Sequence, residues 1–200
     1  MSAPVGRVAG LILAAGASSR YGGLKLLSRL EDRPLLQHVI DAANGSTLAE
    51  VVVVVGHAAD RVLEAVRLGR ARTVRNEAYA LGRSTSLAAG LRATSDVDGV
   101  LVLNGDQPRV TAALVDAVLD LQRATRSAAV ICSWEGQRSP PTLLHRDIWP
   151  AVEATTGDVG ARDVLAARDD VGVLEVTGVL GSLEDVDRPE DLARVGRIEL

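Results

Sequence analysis

The chain has 200 residues, 47% of them hydrophobic, and a formal net charge of −4 with no block of like charges. That length fits one domain spanning 1–200 with enough apolar material for a core, and the acidic balance argues against a nucleic-acid partner, which wants a basic face. Aromatics make up only 2% and Phe is absent, so the core must be built from Val, Leu, Ile and Ala.

In chain order, short apolar runs alternate with longer amphipathic stretches. Strands are expected at Val8–Leu13, Val51–Val55, Arg72–Val74, Gly99–Leu103 and Ala128–Cys132. Helices are expected near Pro34–Ala43, Asp60–Arg67, Ser84–Ala93, Thr111–Ala124, Arg146–Ala154 and Gly160–Ala167. Val51 to Val55 is all valine, and a strand apolar on both faces is buried on both faces, as in a parallel sheet covered by helices. The alternation predicts an α/β, Rossmann-like doubly wound, mostly parallel sheet. Val130–Trp134 and Gln137–Leu144 flank Glu135-Gly136 and read as a small antiparallel hairpin extension. A last short strand is expected near Val186. Cys132, the one cysteine, sits in the apolar run and reads as core rather than as a reactive thiol. No stretch reaches the ~18–20 apolar residues of a membrane span, no secretory signal opens the chain, and a cytoplasmic protein is expected.

In open α/β sheets, ligands bind beyond the carboxyl ends of the strands. After Leu13 the chain reads Ala14-Ala15-Gly16-Ala17-Ser18-Ser19-Arg20-Tyr21-Gly22-Gly23-Leu24-Lys25. Glycines and small residues let backbone approach a ligand, and successive N–H groups form an anion-binding concavity. Arg20 and Lys25 add positive charge, so the segment suits a triphosphate; a solvated glycine-rich surface loop is the plainer alternative. It is neither a Walker A loop nor a G-x-G-x-x-G dinucleotide turn. Asp106 follows the Gly99–Leu103 strand, where a carboxylate can hold Mg²⁺ or simply shape a turn. Asp187 with Glu190 fits a helix capping box, and Ser84 fits an N-cap. His57, at a strand end, reads as a solvated loop histidine.

Taken together, these segments resemble the MobA-like nucleotidyltransferase superfamily. The signature L-x-x-G-x-x-x-R-x-G-x-x-K is met by Leu13, Gly16, Arg20, Gly22 and Lys25. G-D-Q-P is met at Gly105–Pro108, and a D-x-D-x-P-E-D motif runs from Asp185 to Asp191. The likeness spans Leu13 to Leu192. It implies a nucleotide held by Leu13, Ala14, Ala15 and Gly16, with Gly82, Ser86 and Asn76 near base and ribose. It also implies phosphoryl-transfer charge on Arg20 and Lys25, Mg²⁺ on Asp106 and Asp187, and an acceptor side at Gly157-Asp158-Val159-Gly160-Ala161-Arg162. Three positions depart from the family pattern: Tyr21 stands where Met is common, Arg188 where Thr is usual, and Arg138-Ser139-Pro140-Pro141 on the acceptor side.

Within the superfamily the motifs are most similar to molybdenum cofactor cytidylyltransferases. That likeness implies CTP as donor and a phosphorylated molybdopterin-type acceptor, with a molybdoenzyme or its maturation chaperone as a further partner. Ala15 stands where guanylyltransferase-like relatives have Gly, and its methyl should crowd a purine. Three rivals stand beside this reading: transfer to another phosphorylated acceptor such as a sugar phosphate or phospholactate, a nucleotide-binding oxidoreductase on the same sheet, and a non-catalytic carrier of a cofactor precursor.

Overall fold

The computed structural model describes residues 1–18, 21–157 and 161–197. In chain order the elements are β1 (Val8–Ala14), β2 (Arg29–Leu30), β3 (Arg33–Pro34), α1 (Leu35–Gly45), β4 (Glu50–Val55), α2 (Ala59–Ala65), β5 (Arg72–Arg75) and α3 (Arg83–Ala93). There follow β6 (Gly99–Asn104), α4 (Ala112–Thr125), β7 (Ala129–Trp134), β8 (Gln137–His145), α5 (Trp149–Glu153), α6 (Arg162–Ala166), β9 (Val171–Glu175) and α7 (Asp191–Val195).

Seven strands form one sheet in the order β5-β4-β1-β6-β8-β7-β9. The β5–β4, β4–β1, β1–β6 and β7–β9 pairs are parallel, whereas β8 runs antiparallel to both neighbours. The five valines of β4 explain the layering. Val51, Val53 and Val55 enter one core with Leu36, Val39 and Ile40 of α1 and Leu114, Val115 and Val118 of α4. Val52 and Val54 enter the other, with Leu87 and Leu91 of α3 and Trp149 and Val152 of α5. Alternate residues of a strand face opposite ways, so an all-valine strand serves two helix layers at once. The mostly parallel, doubly wound architecture is as the sequence predicts.

The antiparallel β7–β8 hairpin forms as expected and joins the main sheet, where β8 pairs directly with β6. One expectation needs correcting. No strand forms near Val186; its N–H makes a single bond to the Asp106 carbonyl (3.1 Å). The strand that completes the sheet is instead β9, which the sequence pattern does not announce. It is an edge strand whose residues are only partly buried, so it lacks the apolar run that marks a central one. Cys132 is fully buried, and burial pushes its thiol up to about 12, as suits a core residue. Among the described residues no helix is long and apolar enough to cross a membrane.

The candidate active-site cleft

The chain leaves β1 toward β4 on one side and returns to β6 on the other. That reversal opens a crevice at the carboxyl ends of β1 and β6, where ligands bind in such sheets. A cleft of about 820 Å³ lies there, walled by the Leu13–Ser18 loop on one side and by Tyr79–Arg83 and Ser86 on the other. Asn104, Asp106, Asp185 and Asp187 line it as well.

Backbone hydrogen bonds stitch its loops together. Gly105 N–H donates to the Leu13 carbonyl (3.1 Å), His57 N–H to that of Ala15 (3.1 Å) and Val186 N–H to that of Asp106 (3.1 Å). Gln107 is 1% exposed. Its Nε2 donates to Ser139 Oγ (2.9 Å) and to the Leu183 carbonyl (2.7 Å), tying β8 and the 183–187 segment to the β6 loop. Buried polar groups held this way position a site without touching its ligand.

At the end of the glycine-rich loop, Lys25 opens a short 3-10 turn and is 8% exposed. Its ammonium lies 2.6 Å from Asp106 Oδ2 and 3.0 Å from Asp187 Oδ1. Burial opposes the charge, yet the two carboxylates outweigh it and hold the Lys25 pKa above its ordinary value. Asp106 and Asp187 thus aim two hard oxygen donors at one cation position. Among the described residues no group of three His, Cys, Asp or Glu closes around a metal. A partial shell of this kind fits Mg²⁺, which takes one or two carboxylates and fills the rest with phosphate oxygens and water.

Asp187 does not take the capping role. The Asp191 carboxylate accepts from the N–H groups of Asp187 (2.9 Å) and Arg188 (2.8 Å), while α7 begins without a side-chain cap. The Asp187 side chain turns to Lys25 instead. Ser84 is no N-cap either. It lies inside α3, and its N–H donates to the Gly157 carbonyl (3.0 Å). Gly82 precedes it at φ +115°, where an added Cβ would stand 2.5 Å from the Gly157 carbonyl carbon. Only glycine fits that crossing of two backbones.

Leu13, Ala14, Ala15, Gly16, Gly82 and Ser86 all line the cleft. Asn76 does not; it is buried behind Ser86, donating to Ser86 Oγ (3.0 Å) and Thr85 Oγ1 (2.8 Å). It supports the wall rather than forming it. Arg20 lies outside the described residues, as do Asp158, Val159 and Gly160 of the acceptor-side segment. Ala15 is 3% exposed, and its methyl packs beside Gly56 in the cleft wall. His57 makes an edge contact with the Tyr79 ring (5.9 Å).

Two cleft groups had no assigned role in the sequence. Asp185 lines the cleft, and its carboxyl is pushed up by desolvation there and by the nearby charges of Asp106 and Asp187. The D-x-D spacing was its signal, since residues two apart in extended chain face the same way. Arg83 Nη2 donates to Asn104 Oδ1 (2.8 Å), joining the α3 wall to the end of β6. No local pattern links two residues that far apart in the chain.

A Cβ at Gly56 would come 2.7 Å from Tyr79 Cβ and 2.9 Å from Ala15 Cβ. Gly56→Ala is therefore expected to push these walls apart, costing about 1–3 kcal/mol by overpacking, or roughly 2–10 °C in Tm for a chain of this size. A melting curve within about 1 °C of wild type would show that the wall yields freely.

A family model for the MobA-like NTP transferase domain matches residues 10–171. Nicotine blue oxidoreductase of Paenarthrobacter nicotinovorans is 31% identical over 195 residues, covering 94% of this chain and 96% of that protein. The crystal structure of a Mycobacterium tuberculosis Rv0371c homologue from Mycobacterium sp. strain JC1 is 30% identical with a TM-score of 0.83, covering 96% of this chain and 98% of that one. Rv0371c of Mycobacterium tuberculosis H37Rv, solved in complex with manganese, is 24% identical with a TM-score of 0.77, covering 95% and 98%; at that identity the likeness is one of fold. The protein is thus a doubly wound α/β chain with a cleft at its topological switch point. It belongs to the MobA-like NTP transferase family and is a nucleotidyltransferase of that family.

Proposed function

We propose that the protein transfers a CMP group from CTP, with Mg²⁺, to the terminal phosphate of a molybdopterin-type acceptor and releases pyrophosphate. The observation that carries the reading is the Lys25–Asp106–Asp187 cluster at the foot of the glycine-rich loop. The branch of the family and the acceptor rest on the motifs of the sequence. A divalent ion held by Asp106 and Asp187 would neutralise phosphate charge; manganese in the Rv0371c structure supports a divalent ion in this fold.

An acceptor phosphate oxygen bonds to the α-phosphorus as the bond from that phosphorus to the α–β bridging oxygen breaks, and the electron pair leaves with pyrophosphate. The acceptor oxygen is already anionic at neutral pH, so this chain supplies no strong base. Its contribution is positioning and charge. Lys25 and Arg20 stabilise the negative charge of the transferring and leaving phosphates. Ser86 and Gly82 bound the nucleoside end of the cleft, with Asn76 fixing the Ser86 hydroxyl. On this reading the protein works in the cytoplasm and hands its product to a molybdoenzyme or a maturation chaperone.

One observation favours a second reading. A relative that matches nearly the whole chain is named an oxidoreductase, so the same cleft could serve a redox reaction. Pyrophosphate release separates the two. We expect Mg²⁺-dependent release from CTP in the presence of molybdopterin, with CTP preferred over GTP by at least tenfold in kcat/KM, about 1.4 kcal/mol. Equal use of the two nucleotides removes the cytidylyl reading. No release from any nucleoside triphosphate, together with protein-dependent hydride transfer from a reduced nicotinamide to an added electron acceptor, supports the redox reading.

A further inference from the structure

The Lys25 ammonium stands where two carboxylates converge, 2.6 Å from Asp106 Oδ2 and 3.0 Å from Asp187 Oδ1. Asp185 adds a third acidic group to the same cleft. The ammonium takes one oxygen of each carboxylate, and a divalent ion on the same pair would stand close beside it, where two cations repel. Simple departure is also unfavourable, because the ammonium is buried and would give up two charge-assisted bonds at once. A lysine side chain, with its flexible four-carbon stem, can nevertheless reach a new anion if one is brought close. Here the glycine-rich loop, where the sequence places the triphosphate, runs directly into Lys25.

We propose that Lys25 is the resident counter-ion of the Asp106–Asp187 pair, and that it yields this position to a divalent ion only when a triphosphate offers the ammonium a new partner. The inference rests on the reading of Asp106 and Asp187 as the metal carboxylates. It makes the metal site self-closing: without nucleotide the protein's own cation competes with the metal, and with nucleotide the two cations divide carboxylates and phosphates between them. Metal and nucleotide then favour each other's binding, and that coupling is reciprocal. The same residue would suppress idle metal occupancy and serve the transferred phosphates.

The test is metal binding without turnover. Mn²⁺ is titrated into nucleotide-free protein, and free ion is read by electron paramagnetic resonance. Lys25→Met, which keeps the aliphatic stem, is expected to bind Mn²⁺ at least tenfold more tightly than wild type, and Lys25→Gln to shift the same way. Adding Asp106→Asn to Lys25→Met should return binding to the wild-type level or weaker, which ties the gain to these carboxylates. Wild-type or weaker Mn²⁺ affinity in both single variants, each with a cooperative melting transition, overturns the proposal. In that case the metal reading still stands if Asp106→Asn alone weakens Mn²⁺ binding in the presence of CTP. No Mn²⁺ binding by any of these proteins, with or without CTP, overturns both.

Discussion

Lys25→Ala is expected to lower turnover by about a hundredfold or more, the scale of losing one preorganised charge contact in a reaction centre. The ammonium is buried at the foot of the loop and holds two cleft carboxylates, so removing it changes the electrostatics of the cleft without opening the core. Steady-state pyrophosphate release is the measurement. The sign of the two Lys25 effects is diagnostic: a merely structural lysine would lose activity and metal affinity together, whereas the cation exchange predicts lost activity with tighter metal binding. Arg20→Ala is expected to cost a similar factor, from its place in the L-x-x-G-x-x-x-R-x-G-x-x-K spacing. Turnover within threefold of wild type for both variants would remove this loop as the phosphate site.

Asp106→Asn should depress Mg²⁺-dependent turnover by about a hundredfold and move the Mg²⁺ titration to higher concentration, with the fold intact. Asparagine keeps the size and one oxygen but removes the charge that a divalent ion needs. Asp187→Asn should act in the same direction at little cost in stability, since the amide oxygen can still accept from Lys25. The 187–191 turn is held by the Asp191 carboxylate and the main-chain N–H of Asp187, and neither is altered. A loss of stability without a change in Mg²⁺ response would reduce Asp187 to a structural residue. An unchanged Mg²⁺ titration in Asp106→Asn would remove the metal role from Asp106.

What the sequence determined by itself was whatever short-range chemistry dictates. Five consecutive valines require a strand covered on both faces, and β4 divides them between two helix layers. Glu135-Gly136 between Val130–Trp134 and Gln137–Leu144 reads as a hairpin turn, and a hairpin forms. The glycine-rich stretch after Leu13 and the aspartate after Leu103 were legible because strand ends and small residues are local features, and family spacing put roles beside them.

Only the tertiary structure decided what depends on distant partners. β9 carries a weak pattern because an edge strand is only partly buried, and its place follows from pairing with β7. The hairpin sits inside the sheet because β6 leaves an edge that β8 fills. The family likeness puts Asn76 near base and ribose, but a hydrogen-bonded pocket behind Ser86 draws it out of the cleft. Asp187 carries a capping pattern, yet Asp191 holds the turn and the Asp187 carboxylate reaches Lys25, 162 residues away. A side chain's partner is set by the free energy of all the groups folding brings within reach, and Lys25 and Asp187 become neighbours only once β1, β6 and the 183–187 segment are stitched together.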